Sequence, residues 1–309
     1  MKNFLRKKFG KIILIILGLF LFLVILWYFF GDNLFLTFLK WNSEEKPCHE
    51  DCMAERMMIY AGLSYLSENR PWTTNKIKSE ILNQKEPGKY RALVLDVYRQ
   101  IIGEGKTFPK EILNLLNDSK TPPEVKEAII SYSSDLEPTA EMIEQWKNIA
   151  ADENQGVDAR VAAIRKIGET KNEEFAEFLL DIVKNTKEGR IQFEAITETK
   201  SILIEKELGQ EIINNLKGIF FNTNIHPSIK EFVLEIFAFS KNKDFSKDFL
   251  SGIYNDNKDY DKFLRFRAAE LLDYLVTGEL YGDIKIYPRP EISDKEWNDY
   301  GEEIAKIIF

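Results

Sequence analysis

A basic residue recurs along this chain at an interval close to 35 residues. Successive members are separated by 35, 35, 34, 70 and 35 residues, and the double interval leaves room for one further unit near Gln192, slightly out of step. Repeats of this length indicate stacked pairs of helices, because each pair buries its apolar face only against its neighbours. The recurring residues are Arg56, Arg91, Lys126, Arg160, Lys230 and Arg265.

Apolar residues keep a fixed offset from the recurring basic residue. The third, fourth and seventh positions after it are apolar in nearly every unit, as in Val94, Leu95 and Tyr98. These offsets place the side chains on one buried face of a helix, and Ser133, at a seventh position, is the exception. No stretch alternates with period two for long enough to suggest a sheet, so the sequence predicts an all-α fold.

A second helix is predicted in each unit. Several begin with a cap or first-turn signal, such as the proline and glutamate of Pro109-Lys110-Glu111. An array of about seven such pairs also needs end caps, and the helix beside Cys52 and the last helix, Trp297–Phe309, are the candidates. The predicted second helices are Thr74–Asn83, Pro109–Asn117, Ala140–Ala151, Glu173–Asn185, Gln210–Asn222, Ser246–Tyr254 and Asp294–Ile308.

Three short strings resemble the first helix of HEAT or HEAT-like repeats, which have an armadillo-type fold. The strings are PEVKEA at 123–128, DARVAAIRKIG at 158–168 and HPSIK at 226–230. The resemblance covers roughly residues 52–309, is strongest at 156–185, and gains its specificity from recurrence. It implies a right-handed α-solenoid of helix pairs, a curved rod that recruits partners.

Two segments depart from the repeat pattern. The unit at 189–222 is off period, and residues 278–290 (GELYGDIKIYPRP) interrupt the last unit. Each segment is either a functional insertion or variation within the repeat.

The longest apolar run lies near the amino terminus. From Ile12 to Phe30 every residue is apolar or aromatic except Gly18 and the hydroxyl of Tyr28. Such a run spans about 28 Å as a helix, so we predict a transmembrane helix over 12–30. The alternative is a cleaved signal peptide, which has a shorter apolar region followed by a small-x-small site.

Basic residues before the run set its predicted orientation. Five of them lie within residues 1–11, so the positive-inside rule predicts a cytoplasmic tail there and an extracytoplasmic body. Residues 31–51 are a predicted stalk or linker, in which Leu34–Trp41 either lies along the membrane surface or continues the helix. Residues 52–309 form the predicted repeat domain. Amino-acid usage rich in Lys, Asn and Ile is typical of a bacterial protein. The predicted location of the chain is therefore the cell (inner) membrane.

The charge distribution argues against a nucleic-acid partner. The chain carries a formal net charge of −8, and the basic residues before residue 12 contribute +5, so the remainder carries −13. Binding to a nucleic-acid backbone needs clustered Lys and Arg instead. Gly-rich phosphate loops, Gly-x-Ser-x-Gly and His-Glu-x-x-His motifs are absent from the sequence, and no cofactor is predicted.

Cys48, His49 and Cys52 form the one concentrated set of reactive residues in the body. In an oxidising compartment, two cysteines one helical turn apart favour a local disulfide. Free thiols, a metal site and a redox site are the alternatives. A zinc site needs four ligands, and the other histidine, His226, is far away in the chain.

His226 precedes Pro227 at a predicted helix start, so a turn or cap role is favoured over catalysis, which needs a partner within reach.

The recurring basic residues have two possible roles. They pair with carboxylates of the adjacent repeat, or they bind an acidic ligand along a groove. We favour the pairing because Glu55, Glu124 and Asp158 lie close by in the sequence. Most of the aromatic residues in the carboxyl-terminal third are expected to pack in the core.

These observations together predict a non-catalytic, membrane-anchored HEAT-repeat scaffold that binds a protein or peptide at the cell envelope and contacts the lipid bilayer through residues 12–30. The scaffold predicts exposed aromatic or charged residues on the second helices. The alternative is a thiol-redox or metal-dependent envelope enzyme or helper that uses Cys48, His49 and Cys52, and a purely structural membrane spacer is a third reading.

Overall fold

The computed structural model describes residues 30–41, 43, 60–68, 70–103, 106–133, 138–256, 260–280 and 286–308. The regular elements in these ranges are helical, which confirms the all-α prediction. The chain divides into two compact units, Met1–Leu136 and Glu137–Phe309. Within the described ranges no helix is both long enough and apolar enough to cross a bilayer. The predicted span at 12–30 lies outside them except for Phe30.

The first unit contains helical stretches at 30–41 and 60–68, followed by four helices. A proline begins both α1 and α4, because its fixed φ suits the first helical position and its missing N–H is not needed there. Helix α2 packs against α1 and α4, and α3 continues into the 3-10 turn Asn114–Leu116. The four helices are α1 Pro71–Leu82, α2 Gly88–Ile102, α3 Lys110–Leu113 and α4 Pro123–Ser131.

The second unit is a two-layer arrangement of helix pairs. Helices α6, α8, α10 and α12 contact one another in that order and make one layer, and α7 and α9 pack side by side in the other. Each of α7, α9 and α11 also contacts the next first helix. The helices are α5 Ala140–Ala151, α6 Val157–Glu169, α7 Ala176–Asn185, α8 Gly189–Leu203, α9 Gln210–Phe221, α10 Pro227–Phe239, α11 Lys243–Asn255, α12 Lys262–Thr277 and α13 Asp294–Ile308.

The predicted second helices are confirmed, two of them with the predicted bounds: Ala140–Ala151 and Asp294–Ile308. The Thr139 hydroxyl oxygen caps α5 by accepting from the backbone N–H of Met142 at 3.2 Å. Helix α11 begins at Lys243, three residues before the predicted start. Ser246 is buried inside its first turn, where its hydroxyl donates to the Phe237 carbonyl at 2.5 Å.

Two side-chain predictions about the core are resolved. Phe220 and Phe237 are buried and pack edge-on against Phe249, as expected for core aromatics, whereas Phe221 is exposed. Ser133, the polar exception in the apolar pattern, is buried as well. Its hydroxyl donates to the Ile130 carbonyl at 2.5 Å, which removes the cost of burying it.

Candidate functional site

The cysteine and histidine cluster predicted at Cys48, His49 and Cys52 lies outside the described residues, as does Arg56. The predicted disulfide and its alternatives therefore stay predictions. Within the ranges that the structure describes, no three His, Cys, Asp or Glu side chains come together in a way that could hold a metal ion.

The recurring arginines form hydrogen bonds to the ends of the preceding helices. The Nε–H of Arg91 donates to the Ile81 carbonyl at 2.7 Å, and that of Arg160 donates to the Ala150 carbonyl at 3.0 Å. Each acceptor belongs to the last turn of a helix, whose final carbonyls have no intrahelical donor. A cation there also interacts favourably with the helix dipole.

Arg265 repeats this arrangement at the end of α11, where its Nε–H donates to the Tyr254 carbonyl at 3.3 Å. Burial lowers the pKa of the Arg91 guanidinium, and the nearby Asp118 partly offsets that shift. These contacts correct the favoured sequence interpretation. Arg91, Arg160 and Arg265 are held by backbone carbonyls of the preceding helix, which is the second helix of the adjacent repeat, where we expected carboxylates of that repeat.

Gln192 occupies the same position in the unit that is off period. Its Nε2 amide donates to the Val183 carbonyl at 3.0 Å and to the Thr186 carbonyl at 2.9 Å. An uncharged amide thus caps the end of α7 as the guanidinium groups cap other helices. Arg91, Arg160, Gln192 and Arg265 therefore share a donor role at this position, and in Gln192 the donor is uncharged.

The two recurring lysines lie on the first helices α4 and α10. Lys126 is buried, and Lys230 is half-buried with a pKa that is lowered by burial. The burial of Lys126 argues against its display in an open basic groove.

A ladder of ion pairs connects neighbouring first helices. Its basic members are not the recurring arginines and lysines described above. Arg165 on α6 bonds Glu194 on α8 through two nitrogens, at 2.7 and 2.9 Å. Glu235 on α10 then pairs with Lys200 on α8 and with Arg267 on α12. The partners are 29, 35 and 32 residues apart, close to one repeat.

Aromatic side chains accompany these ion pairs. Phe193 on α8 meets Phe232 on α10 edge-on at 5.2 Å between ring centroids, and Phe239 meets Tyr274 on α12 at 4.9 Å. The Lys200 ammonium lies 5.2 Å from the Phe232 ring centroid. We call this surface of α6, α8, α10 and α12 the ladder face. Its members are Arg165, Phe193, Glu194, Lys200, Phe232, Glu235, Phe239, Phe266, Arg267, Glu270 and Tyr274.

The carboxyl-terminal helix α13 lies across one edge of the ladder face. Trp297 contacts the rings of Phe263 and Phe266 on α12, at 5.1 and 5.4 Å between centroids. Tyr300 stacks on Phe263 at 4.1 Å and is buried. The backbone of α13 also packs against α8. The contacts of α13 therefore extend beyond α12 to α8 and α10.

Polar contacts fix the same helix to α10. The Tyr300 hydroxyl donates to the Glu231 carboxylate, and His226 stacks on the Tyr300 ring at 6.4 Å. Burial raises the pKa of Glu231 to about 7, although the bond from Tyr300 opposes that shift. The Nδ1 of His226 accepts from the Ser228 N–H at 3.2 Å, which confirms the predicted cap. Burial lowers the pKa of His226, and Glu303 partly offsets this.

The segment that interrupts the last unit is held by a buried carboxylate. Asp273 on α12 accepts from the backbone N–H groups of Ile286 at 2.8 Å and Tyr287 at 3.0 Å, and from the Arg289 guanidinium at 3.3 Å. Asp273 is buried, so its charge is balanced by these three donors. The described end of the interruption is therefore an ordered connection that leads into α13.

Comparison with protein-family models, with curated proteins and with solved structures finds no match to this chain.

Proposed function

We propose that this chain is a membrane-anchored helical-repeat scaffold of the cell envelope, which binds a protein partner through the ladder face and carries out no catalysis. The partner segment is an amphipathic helix. In this proposal the helix pairs continue as a HEAT-like solenoid, residues 12–30 cross the membrane, and the repeat domain is extracytoplasmic.

The single observation that carries the proposal is the position of α13. An amphipathic helix with anchors at Trp297 and Tyr300, three residues apart, already lies on α8, α10 and α12. Helix-in-groove recognition uses aromatic or aliphatic anchors at this spacing. The ladder face therefore has the chemistry to accept a helix, namely half-buried aromatic rings flanked by paired charges.

The repeated capping donors also support the proposal of a scaffold. Because Arg160, Gln192 and Arg265 each connect a first helix to the end of the helix before it, the pairs are built alike. Arrays of similar pairs are stabilised by nearest-neighbour contacts and present extended surfaces for binding.

A crosslinking experiment tests the proposal in the full chain. A photoreactive amino acid replaces Phe266, which contacts Trp297, and a matched probe replaces Phe221, which is exposed on α9 in the other layer. We expect a protein adduct from the Phe266 probe that increases in the Trp297→Ala variant. A synthetic peptide of residues 291–309 should compete with it. Equal adducts from both probes, or adducts that the peptide leaves unchanged, would contradict binding at the ladder face.

A further inference from the structure

The helical stretch at 30–41 in the first unit has two distinct faces. Leu36 and Leu39 are buried at 5% and 0% exposure, and Asp32 is buried beside them. The opposite face carries four large apolar side chains that are 43% to 58% exposed. At about 100° of rotation per residue, all four fall within about 80° of arc. They are Phe30, Leu34, Phe38 and Trp41.

The buried face is fixed to the first unit, so the exposed face has a definite direction. The Phe35 ring occupies the space beside Gly62, where a Cβ atom would lie 2.1 Å from it. Lys40 pairs with Glu86 at 2.7 Å, and Lys76 on α1 bonds the Asn33 side chain. A helix held in this way cannot rotate its apolar residues inward without breaking these contacts.

Exposed apolar side chains grouped on one face require an explanation, because monomeric soluble proteins rarely present such patches without a binding role. The position of the patch in the chain indicates what covers it. Phe30 is both the last residue of the apolar run at 12–30 and the first exposed residue of this face. Rings of Phe and Trp are also the side chains that favour the boundary between lipid and water.

We propose that the face formed by Phe30, Leu34, Phe38 and Trp41 lies on the membrane surface and fixes the first unit against the lipid. The proposal rests on the membrane anchor proposed above. It decides between the two readings of Leu34–Trp41, since a helix that continued straight out of the bilayer would leave Trp41 in water. The partner is the interfacial region of the lipid bilayer.

Tryptophan quenching in the full chain tests this contact. The chain carries Trp27→Phe, which removes the tryptophan inside the apolar run, and is reconstituted in phosphatidylcholine–phosphatidylglycerol vesicles whose acyl chains are brominated near the carbonyl end. We expect the additional change Trp41→Phe to reduce the lipid-quenched fraction at least about twofold, because the ring of Trp41 would lie at the interface. The matched control is Trp297→Phe, since Trp297 is 41% exposed and Trp41 is 54% exposed. This control should not reduce the lipid-quenched fraction.

Two results would overturn the inference while the anchor stands. If the chain resists alkaline extraction but acrylamide in the water reaches Trp41 and the brominated lipid does not, the stretch is a stalk. If neither quencher reaches Trp41, protein covers the face, for example a second copy of this chain. Release of the chain by alkali would instead remove the proposed anchor, and the inference would fail with it.

Discussion

A side-chain donor caps the preceding helix at two junctions, between α5 and α6 and between α7 and α8. The side chains that do so differ. At the first, Arg160 reaches back ten residues to the Ala150 carbonyl. At the second, Gln192 reaches back nine residues to Val183 and six to Thr186. The connection is five residues long at the first junction, 152–156, and three at the second, 186–188.

Arginine also follows the longer connections at two further junctions where it donates to the preceding helix. Arg91 follows a five-residue connection, 83–87, and Arg265 follows a six-residue one, 256–261. A short connection brings the first helix close enough for glutamine, whereas a longer one needs the reach of arginine. At these four junctions the side chain is a donor whose length matches its distance from the preceding helix end, and the basic charge comes with the longer side chain.

Removal of the donor should have the largest effect. We expect Gln192→Ala to lower the free energy of unfolding by about 3 kcal/mol, because it leaves two buried carbonyls without a donor. Urea unfolding followed by circular dichroism measures the change. The control Gln210→Ala removes an exposed amide that bonds Asn214, and should change stability by less than about 0.5 kcal/mol. Equal effects in the two variants would remove the structural role given to Gln192.

Exchange of the two donors should cost less. Arg160→Gln places a side chain that is too short beside a five-residue connection and should lower stability by about 2 kcal/mol. Gln192→Arg places a side chain that is too long beside a three-residue connection and should cost about 2 kcal/mol through overpacking. Denaturant midpoints of the two variants provide the test. If either exchange is neutral, side-chain reach does not depend on the connection.

The ladder should contribute less than the capping donors. Glu235 lies between Lys200 and Arg267, and the side chains of Glu235 and Arg267 are only 12% and 11% exposed. We expect Glu235→Gln to destabilise the chain by about 1 kcal/mol. Glu194→Gln should cost less than about 0.5 kcal/mol, since its partner Arg165 is 54% exposed and screened by solvent. A larger cost at Glu194 than at Glu235 would reverse this ranking.

A pH dependence of stability is expected at α13. The pKa of Glu231 is raised above its ordinary value to about 7, so the folded state binds this proton more tightly. Its contribution to stability is complete below about pH 4.5 and is lost as pH rises through about 7. His226 acts in the opposite sense, since its lowered pKa favours the folded state at higher pH.

The variant Glu231→Gln keeps an acceptor for Tyr300 and removes the proton. Stability of the wild-type chain should decline more steeply between about pH 5 and about pH 8 than that of the variant. Thermal unfolding at a series of pH values measures both slopes, and identical slopes would exclude Glu231 as the titrating group.

Most of the helical fold could be predicted from the sequence, because its signals are local. The apolar offsets after Arg160 indicate α6, and the turn residues before Asp294 indicate the start of α13. The recurrence also located the unit that is out of step at Gln192. These features depend on periods and capping residues, which the order of amino acids carries directly.

The partners of the charged residues could not be predicted in the same way. Whether Arg160 reaches a carboxylate or a carbonyl depends on the length of the connection and on how closely two helices approach. The pair of Arg165 and Glu194 depends on the packing of α6 against α8. A search restricted to acid–base pairs one full repeat apart would have missed it, since the two residues are 29 positions apart. No comparable local signal in the sequence indicates that α13 lies on the ladder face.

Hydrogen exchange of side-chain amides tests the shared capping role most directly. In a chain with ¹⁵N-labelled glutamine, NMR resolves the Nε2 protons of Gln192 and Gln210 separately, with assignment by Gln192→Ala. Because Gln192 is buried and donates to two carbonyls, we predict that its protons exchange at least about a hundredfold more slowly than those of the exposed Gln210. Exchange of both amides at the same rate would show that Gln192 does not cap α7, and would contradict the structural equivalence of Gln192 and Arg160.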